Sequence, residues 1–380
     1  MSLSRAEQAR YQRHLSLQEI GVAGQEKLKA AHVLVVGAGG LGSPATLYLA
    51  AAGVGTLGVV DCDRVEVSNL QRQILFDSAS VSRPKAEAAR ARLAALNPEI
   101  HVVAHAVELR AANVREIVRA YDVVLDGTDR LTTRYLVNDA CVLERKPLVA
   151  AAIHRFEGQA MTYVPGRGPC YRCLFADAIE GMVPNCAEAG VLGVLPGVMG
   201  AIQATEAIKL ITGVGTPLIG RLLAYDALDM RTDEFSFQRR TDCAVCGDRP
   251  TITELRDAAP ACMSAEEIRH LSPAGLRELL GNPARDSLLI VDVREPHEFA
   301  FGHLPGSLNI PVGQIEHRLQ EIPSALARTG ALTPVFLCRS GARSMAACAI
   351  AARGGIRSIA HLDGGLLAWQ AECDETFEVA

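Results

Sequence analysis

Four of the eleven cysteines form two closely spaced pairs, Cys170 with Cys173 and Cys243 with Cys246. Each pair has CxxC spacing, and 69 residues separate the two pairs. Two-residue spacing lets both thiolates of a turn face one tetrahedral zinc ion, and four sulfurs leave no open coordination position. Core cysteines and a redox pair are the alternatives. The presence of two pairs favours a structural zinc site.

A fifth cysteine, Cys338, lies in the segment LCRSGARS, after an apolar run and before a glycine turn and a predicted helix. In such a loop, backbone N–H groups, the helix dipole, Arg339 and Arg343 would stabilise an anion. The anion could be a thiolate, a persulfide or a phosphate oxygen. A phosphatase loop has the spacing Cys-x5-Arg, whereas Ser344 stands at that arginine position here. The shorter loop suits a single sulfur atom better than a phosphate.

Cys186 stands alone in GMVPNCAEAG, a composition typical of a loop. It is either an ordinary loop cysteine or an exposed nucleophile, and the residues leave both open. The other five cysteines belong to no cluster and are predicted to be core or incidental residues. They are Cys62, Cys141, Cys262, Cys348 and Cys373.

A glycine-rich turn follows the apolar run AHVLVVG. Its glycines are Gly37, Gly39, Gly40 and Gly42. Glycines let the backbone approach a phosphate closely, and the N-terminus of the next helix offers free N–H groups. Asp61 ends the following apolar run, where a carboxylate would accept from ribose hydroxyls. The pattern predicts a nucleotide site and leaves NAD, FAD and ATP open.

Charged and polar side chains beyond Asp61 distinguish between these nucleotides. They are Asn69, Arg72, Lys85, Asp126 and Asp129, each near a predicted strand end or helix start. Hydride transfer needs no such set of cations and carboxylates. Nucleotidyl transfer does, because cations neutralise charge on the phosphates and an aspartate can hold Mg²⁺. The set favours nucleotidyl transfer.

The elements that must position these residues alternate between strand and helix. Helical segments are predicted at 1–30, 42–52, 84–96, 132–143, 189–205 and 342–355, and strands at 31–37, 56–61, 121–127, 287–293 and 334–338. This rhythm indicates a doubly wound α/β fold followed by a smaller α/β unit. The predicted boundaries are 1–247 for the first domain, 248–263 for a linker and 264–380 for the second domain.

Composition excludes several classes of protein. The chain has 380 residues, of which 49% are hydrophobic and 21% charged, so it is an ordinary globular chain. A net charge of −5 and 4% aromatic residues argue against nucleic-acid binding. Residues 33–60 carry no charge but contain seven glycines and Pro44, so we predict no membrane span. The segment MSLSRAEQAR has no apolar run, which predicts a cytoplasmic protein without a signal peptide.

The motifs GAGGLG, DCDRVEVSNLQRQ, RPK and GTD together resemble the ThiF/MoeB family, bacterial relatives of ubiquitin-activating enzymes, over about residues 5–247. The resemblance implies that Mg-ATP adenylates the C-terminal glycine of a ubiquitin-like sulfur carrier. It implies nucleotide contacts from Gly40 and a ribose contact from Asp61. Matching positions of the same motifs are Gly37, Gly39, Gly42, Asp63, Ser68, Leu70 and Gln71.

The resemblance also implies roles for charged residues. Asn69, Arg72 and Lys85 would act on the phosphates, and Asp129 on Mg²⁺. Arg13 matches an arginine that reaches ATP from the second protomer of a homodimer. The chain departs from the family at Arg130, where asparagine is usual. The four paired cysteines match the family's zinc site, and a cysteine at the place of Cys186 has been given a role in acyl transfer.

The segments DVREPHEF, GHLPGSLNIP, CRSGARS and GGLLAW resemble a rhodanese (sulfurtransferase) domain over about 264–378. The resemblance implies that Cys338 carries a persulfide. The surrounding loop would then comprise Arg339, Ser340, Gly341, Ala342 and Arg343. Structural roles are expected for Asp292, Arg294, His303 and Trp369.

Together the two resemblances imply an enzyme of the molybdopterin-synthase adenylyltransferase/sulfurtransferase type. Its partners would be a carrier ending in Gly-Gly and a sulfur donor, either thiosulfate or a cysteine desulfurase. Its cofactors would be ATP, Mg²⁺ and structural Zn²⁺. Two alternatives are an NAD-dependent oxidoreductase with a rhodanese-like tail and a module that only docks a ubiquitin-like protein. The sequence leaves open whether the carrier serves molybdopterin, thiamin, cysteine, siderophore or tRNA thiolation.

Overall fold

A computed structural model describes residues 2–176, 190–257, 268–281, 288–330, 333–356 and 358–379. These fall into two compact units, residues 2–176 with 190–257 and residues 268–379. The domain boundaries given above stay predictions. Ile252 and Leu255, from the predicted linker, pack against the core of the first unit. Within the described residues, no helix combines the length and apolar character that a membrane crossing requires.

The first unit is built on an eight-stranded sheet in the order β3-β2-β1-β4-β5-β6-β7-β8. Strands β1 to β5 pair in parallel, and β6, β7 and β8 extend the sheet with antiparallel pairs. The strands are β1 His32–Val36, β2 Thr56–Val60, β3 His101–His105, β4 Val123–Asp126, β5 Leu148–His154, β6 Glu157–Tyr163, β7 Arg221–Asp226 and β8 Arg231–Ser236.

Nine described helices belong to this unit. They are α1 Arg5–Arg10, α2 Gln12–Leu15, α3 Gly21–Ala30, α4 Gly42–Ala52, α5 Lys85–Leu96, α6 Val114–Arg119, α7 Leu131–Leu143, α8 Tyr171–Leu174 and α9 Leu195–Thr212. Apolar clusters cover both faces of the sheet, as expected where parallel strands are buried on both sides. The predicted doubly wound α/β fold is confirmed.

Strand β1 lies between β2 and β4, at the point where the strand order changes direction. The Gly127 N–H donates to the Val36 carbonyl at 2.9 Å, which joins the carboxyl ends of β4 and β1. In open α/β sheets, ligands bind in the crevice outside the carboxyl ends of strands at such a point. The glycine turn that follows β1 therefore lies where a ligand site is expected.

The long apolar helix α9 differs from its predicted extent of 189–205. It starts at Leu195, because Pro196 occupies the first turn, where its missing N–H costs nothing. It ends at Thr212, where Gly213 takes a left-handed φ of 81° that suits glycine. Helix α9 packs on α4 and β5, so it supports the glycine turn from one side.

The second unit contains a five-stranded parallel sheet in the order β11-β10-β12-β13-β9. Its strands are β9 Ile268–Leu271, β10 Leu288–Asp292, β11 Leu308–Asn309, β12 Thr333–Leu337 and β13 Ile359–Leu362. Its helices are α10 Pro273–Gly281, α11 Pro296–Phe301, α12 Glu321–Thr329, α13 Ala342–Arg353 and α14 Gly365–Glu372. Central β12 delivers Cys338 to the carboxyl end of the sheet.

Candidate functional site

The glycine turn between β1 and α4 is too tight for side chains at two positions. Gly37 has a φ of +89°, and its N–H donates to the Val60 carbonyl at 2.8 Å. A Cβ at Gly42 would lie 1.8 Å from the Gly37 carbonyl oxygen. The turn therefore closes only with glycine, and it brings the backbone against the first turn of α4. This is a cradle that fits a phosphate.

Asp61 is fixed beside this turn by two backbone groups. Its carboxylate accepts from the Ala38 N–H at 2.8 Å and from the Asp63 N–H at 2.9 Å. Burial raises the pKa of Asp61, and the charge of Lys85 partly opposes that shift. The carboxylate is therefore held next to the glycine turn, where it could accept from ribose hydroxyls.

Lys85 begins α5 and is almost fully buried, with 6% of its surface exposed. Its ammonium lies 3.1 Å from a carboxylate oxygen of Asp63. Because Lys85 also acts electrostatically on Asp61, one cation faces two carboxylates. A buried lysine at a helix start beside a phosphate cradle would counter phosphate charge.

The segment SNLQRQ, residues 68–73, begins in a 3₁₀ turn, Val67–Asn69, and its later residues lie next to the glycines. Buried Asn69 accepts from the Glu66 N–H at 3.2 Å and thereby shapes the turn. Arg72 donates to the Ser68 carbonyl at 3.1 Å, and its Cδ lies 3.9 Å from where a Cβ at Gly40 would be. The predicted phosphate-binding arginine is therefore beside the glycine turn.

Gln73 lies beside the glycine turn, although the sequence predictions did not include it among the site residues. It is 4% exposed, and its Nε2 lies 3.7 Å from the position of a Cβ at Gly39. Its Oε1 has no hydrogen-bond partner among the described residues. A buried amide oxygen without a partner is costly, so a ligand donor would satisfy it here. The sequence did contain one signal for Gln73: it stands two residues after Gln71, which was predicted to lie in the site.

Two charged residues predicted for the site are exposed. Asp129 follows Asp126, which is buried and accepts from the Thr128 N–H at 2.9 Å and from its hydroxyl at 2.7 Å. Asp126 thus holds the loop that carries Asp129 at the carboxyl end of β4. Arg13 lies exposed on α2. The roles of Asp129 and Arg13 stay predictions, and Cys186 lies outside the described residues.

The two CxxC pairs meet in one cluster. The Sγ atoms of Cys173 and Cys246 are 3.3 Å apart, those of Cys170 and Cys243 are 3.6 Å apart, and those of Cys170 and Cys173 are 4.0 Å apart. Tetrahedral zinc with Zn–S bonds of about 2.3 Å requires sulfurs about 3.8 Å apart. All four sulfurs lie within 4.8 Å of one another. The cluster fits a closed structural zinc site.

Hydrogen bonds favour the thiolate form of one cysteine in this cluster. Those from Cys170 and Cys246, with a further bond from the Arg240 N–H at 3.4 Å, lower the pKa of Cys173. The thiolate is the form that binds metal. Cys170 and Cys173 flank the start of α8, whereas Cys243 and Cys246 follow β8, so a shared metal would join two distant segments.

We expect Cys243→Ala to lose bound zinc and to lower the melting temperature by more than a matched substitution. The matched control is Cys141→Ala, because Cys141 is fully buried in the same apolar cluster but lies outside the four-sulfur group. Structural zinc contributes its binding free energy to folding. Elemental analysis and thermal unfolding would measure both effects. A purified chain without stoichiometric zinc, or equal destabilisation by the two variants, would contradict this prediction.

Cys338 follows β12 and is fully buried. Its Sγ accepts from the Gly341 N–H at 3.1 Å, and the Ser344 hydroxyl lies 3.6 Å away. Gly341 has a φ of +100° and precedes α13, which is why the loop can turn its N–H toward the sulfur. Hydrogen bonds of this kind and the helix N-terminus favour an anionic sulfur.

Arg343 forms an ion pair with a carboxylate on another helix. Its two Nη atoms donate to the Glu298 carboxylate at 2.6 and 2.8 Å, and both side chains are buried. Although burial opposes the shift, Arg343 lowers the pKa of Glu298. The pair ties the loop to α11. A direct action of Arg343 on an anion at Cys338 stays a prediction.

The other loop residues differ in exposure, since Ser340 and Ala342 are exposed and Arg339 is half-buried. Beside the loop, Arg294 and Asp292 form a fully buried ion pair at 2.7 Å. Trp369 is 7% exposed and packs in an apolar cluster of the second unit. These contacts agree with the structural roles expected for Asp292, Arg294 and Trp369. His303, by contrast, is exposed and stacks on Phe299.

Comparison with known proteins shows which family holds this arrangement. A sequence model of the ThiF family matches residues 11–245, which is more than half of the chain. The chain belongs to the ThiF family. A second family, the rhodanese-like domain, matches residues 272–372. The predicted family and both predicted domain types are confirmed.

Relatives named for both activities align with nearly the whole of this chain. A protein of Mycobacterium tuberculosis named probable adenylyltransferase/sulfurtransferase MoeZ is 44% identical over 97% of this chain and 94% of its own length. The adenylyltransferase and sulfurtransferase MOCS3 of Bos taurus is 43% identical over 99% of this chain and 88% of its own length. The predicted enzyme class, with both activities, is confirmed.

A solved structure resembles the ThiF family unit alone. Escherichia coli MccB, in a crystal structure with ATP, has a TM-score of 0.57 and 25% identity, and the match covers 64% of this chain and 75% of MccB. Use of ATP is implied by the ThiF family. The glycine cradle and its neighbouring cations fit that nucleotide.

Proposed function

We propose that this chain uses ATP to adenylate the C-terminal glycine of a ubiquitin-like sulfur-carrier protein and then converts it to a thiocarboxylate with sulfur from Cys338. The observation that carries the proposal is that one chain holds both chemical sites. The glycine turn lies with Asp61, Lys85 and Arg72, and the Cys338 sulfur receives the Gly341 N–H. The first group suits an acyl-adenylate, and the second a nucleophilic sulfur.

In the adenylation step, a carboxylate oxygen of the carrier attacks the α-phosphorus of ATP and pyrophosphate leaves. Arg72 and Lys85 would balance the charge that develops on the phosphates. Asp61 would accept from the ribose, and Asp129 would hold Mg²⁺. Arg13 is exposed on α2, as an arginine must be to reach ATP in a second protomer of a homodimer.

In the sulfur step, the outer sulfur of a Cys338 persulfide attacks the acyl carbonyl and AMP leaves. The product is an acyl disulfide. The Cys186 thiol would then attack the inner sulfur, which breaks the S–S bond, frees the thiocarboxylate and forms a disulfide with Cys338. A dithiol reductant would restore both thiols. The zinc cluster would hold the fold and take no part in either step.

The family resemblance points to molybdenum cofactor biosynthesis. The donor that loads Cys338 would be thiosulfate or a cysteine desulfurase. The sequence leaves open whether the carrier serves thiamin, cysteine, siderophore or tRNA thiolation instead, so the carrier itself has to be identified by experiment.

Pyrophosphate–ATP exchange tests the adenylation step. The purified chain would be incubated with ATP, labelled pyrophosphate and a panel of carriers that end in Gly-Gly. We expect label to enter ATP with at least one carrier and not with the same carrier lacking its last two residues. Carrier thiocarboxylate, measured by mass, is expected only when a sulfur donor is present.

Two results would contradict the proposal. Tight NAD binding without exchange would favour an oxidoreductase with a rhodanese-like tail. Carrier binding without exchange at any ATP concentration would favour a docking module. The presence of Arg72, Lys85 and Asp129 together argues against the second alternative.

A further inference from the structure

A row of polar side chains leads away from Cys338 within the second unit. The Ser344 Oγ lies 3.6 Å from the Cys338 Sγ and 3.0 Å from the Nδ1 of His361. The Nε2 of His361 lies 3.4 Å from the Asp363 carboxylate. The same carboxylate oxygen lies 2.7 Å from the Nδ1 of His270. These contacts form a continuous path of titratable or hydroxyl groups from the sulfur.

The path runs from the interior to the surface. Ser344 and Cys338 are fully buried, and His361 is 4% exposed. The side chains of Asp363 and His270 are about half exposed, at 47% and 48%. Protons can therefore exchange with water at the Asp363–His270 end, whereas the Cys338 end is closed to it.

The fold places the two histidines side by side. Strands β9 and β13 pair in parallel, and His270 lies directly opposite His361 in the register. Side chains of residues that are opposite in a pair point to the same face of the sheet. Their rings meet edge to face with centroids 5.4 Å apart. Asp363 follows β13 and so reaches both rings.

The contacts decide which nitrogen of His361 can accept a proton. Because Nε2 faces the Asp363 carboxylate, it carries the ring proton, and Nδ1 is left to accept from the Ser344 hydroxyl. Burial lowers the pKa of His361 to about 4, so the imidazole is neutral near pH 7. The Ser344 hydroxyl also lies 3.0 Å from the Gly341 carbonyl oxygen, and it can turn between these two acceptors.

We propose that Ser344 and His361 take up the proton of the Cys338 thiol as its sulfur attacks a sulfur donor, with Asp363 and His270 linking His361 to water. The inference rests on the proposed role of Cys338 as sulfur carrier. Ser344 touches the reacting sulfur, and His361 acts through Ser344 as a positioning residue. None of the family motifs that predicted Cys338 includes His361, Asp363 or His270.

With thiosulfate as donor, the Cys338 sulfur forms a bond to the outer sulfur of thiosulfate. The S–S bond of thiosulfate breaks, and its electron pair leaves with sulfite. The thiol proton passes to the Ser344 oxygen while the Ser344 proton passes to the Nδ1 of His361. Asp363 then faces an imidazolium and stabilises it. The proton leaves to water through the exposed end of the path, and Cys338 is left as a persulfide anion.

Few ionisable groups act on His361. Among the described residues, the ionisable groups that act on it are Asp363, which favours the imidazolium, and His270, which disfavours it. Cys348, on α13, is an ionisable neighbour of Cys338, and burial raises the pKa of its thiol. Cys348 is therefore a protonated thiol near pH 7 and takes no part in the transfer.

The test uses the full chain and its variants His361→Asn and Asp363→Asn. The control is His317→Asn, which changes an exposed histidine of the same unit. The rate of sulfur transfer from thiosulfate to cyanide is measured, and kcat/KM is determined from about pH 5 to about pH 10, the range in which histidine and cysteine titrate. The rate at which iodoacetamide alkylates Cys338 is measured over the same pH range, with Cys338→Ala as the blank.

We expect His361→Asn to lower kcat/KM at least about tenfold at pH 7, because the thiol proton then loses its acceptor on the path. The loss should shrink towards pH 10, where hydroxide takes the proton instead. Asp363→Asn should show a smaller loss, and His317→Asn none. The same fold loss at every pH would overturn the proposal in favour of a structural role, and so would an alkylation rate at pH 7 that His361→Asn leaves unchanged.

Two further outcomes are informative. The ligand atoms of His270, His361 and Asp363 lie within 4.8 Å of one another, as in a metal site. If a chelator added to the unaltered chain lowers kcat/KM as much as His361→Asn does, the three residues hold a metal and the proton path is wrong. If the unaltered chain forms no persulfide, the proposed sulfur transfer fails, but the alkylation rates of the variants still decide on the proton path.

Discussion

Cys338→Ala is expected to abolish thiocarboxylate formation and leave carrier-dependent pyrophosphate exchange unchanged. The transferred sulfur would be bonded to the Sγ of Cys338, the atom that accepts the Gly341 N–H. Without this Sγ, the loop has no atom to carry the sulfur. Exchange depends on the glycine turn of the other unit. Labelled pyrophosphate in ATP and the mass of the carrier would report the two activities on the same sample.

The matched control for this variant is Cys348→Ala. Cys348 is buried in the same apolar cluster as Cys338, and its Sγ lies 3.8 Å from the Ala360 carbonyl oxygen. Both variants remove one buried thiol, but only one removes the loop sulfur. Thiocarboxylate formed by Cys338→Ala at the rate of Cys348→Ala would assign the sulfur elsewhere.

Gly42→Ala is expected to reduce pyrophosphate exchange by about a hundredfold or more. The new Cβ would lie 1.8 Å from the Gly37 carbonyl oxygen and 2.9 Å from its carbon, and both are backbone atoms that cannot rotate away. The turn must open by about an ångström, and misplacement on that scale costs about a hundredfold in rate. Thiosulfate–cyanide transfer by Cys338 should persist, which shows that the second unit still folds.

Gly197→Ala serves as the control in the same region. Gly197 lies in the first turn of α9, and a Cβ there would meet nothing within 4 Å. Exchange by this variant should match that of the unaltered chain. Full exchange by Gly42→Ala would mean that the nucleotide does not depend on this turn.

Local signals in the sequence predicted the glycine turn and its helix closely. The predicted helix 42–52 has the observed bounds of α4, because glycines fix its start and Gly53, with a φ of 83°, stops it. The two CxxC pairs also predicted their own cluster, since zinc chemistry dictates the residue type and the short spacing. The contacts that determine the turn are only a few residues apart. The two cysteine pairs are 69 residues apart, but the short spacing within each pair carried the signal.

Where no motif marks the residues, local signals did not predict contacts between distant segments. The sequence suggested that Arg343 stabilises an anion, but its guanidinium pairs with Glu298, 45 residues away. His270 and His361 become neighbours only because β9 and β13 are adjacent, and periodicity does not give the order of strands in a sheet. Gln73 is a comparable case, because its unpaired oxygen depends on what surrounds it in the folded chain.

The depth of the four-cysteine cluster matters for a protein that handles reactive sulfur. Sulfane donors and oxidants consume accessible thiolates, and oxidation of a metal's ligands releases the metal. Cys170, Cys173 and Cys243 are 0%, 7% and 3% exposed and Cys246 is partly exposed, whereas Cys62 is open to solvent. Small sulfur compounds therefore meet Cys62 before they meet three of the four sulfurs of the cluster. Burial of these three sulfurs slows the oxidation that would release a metal from the cluster.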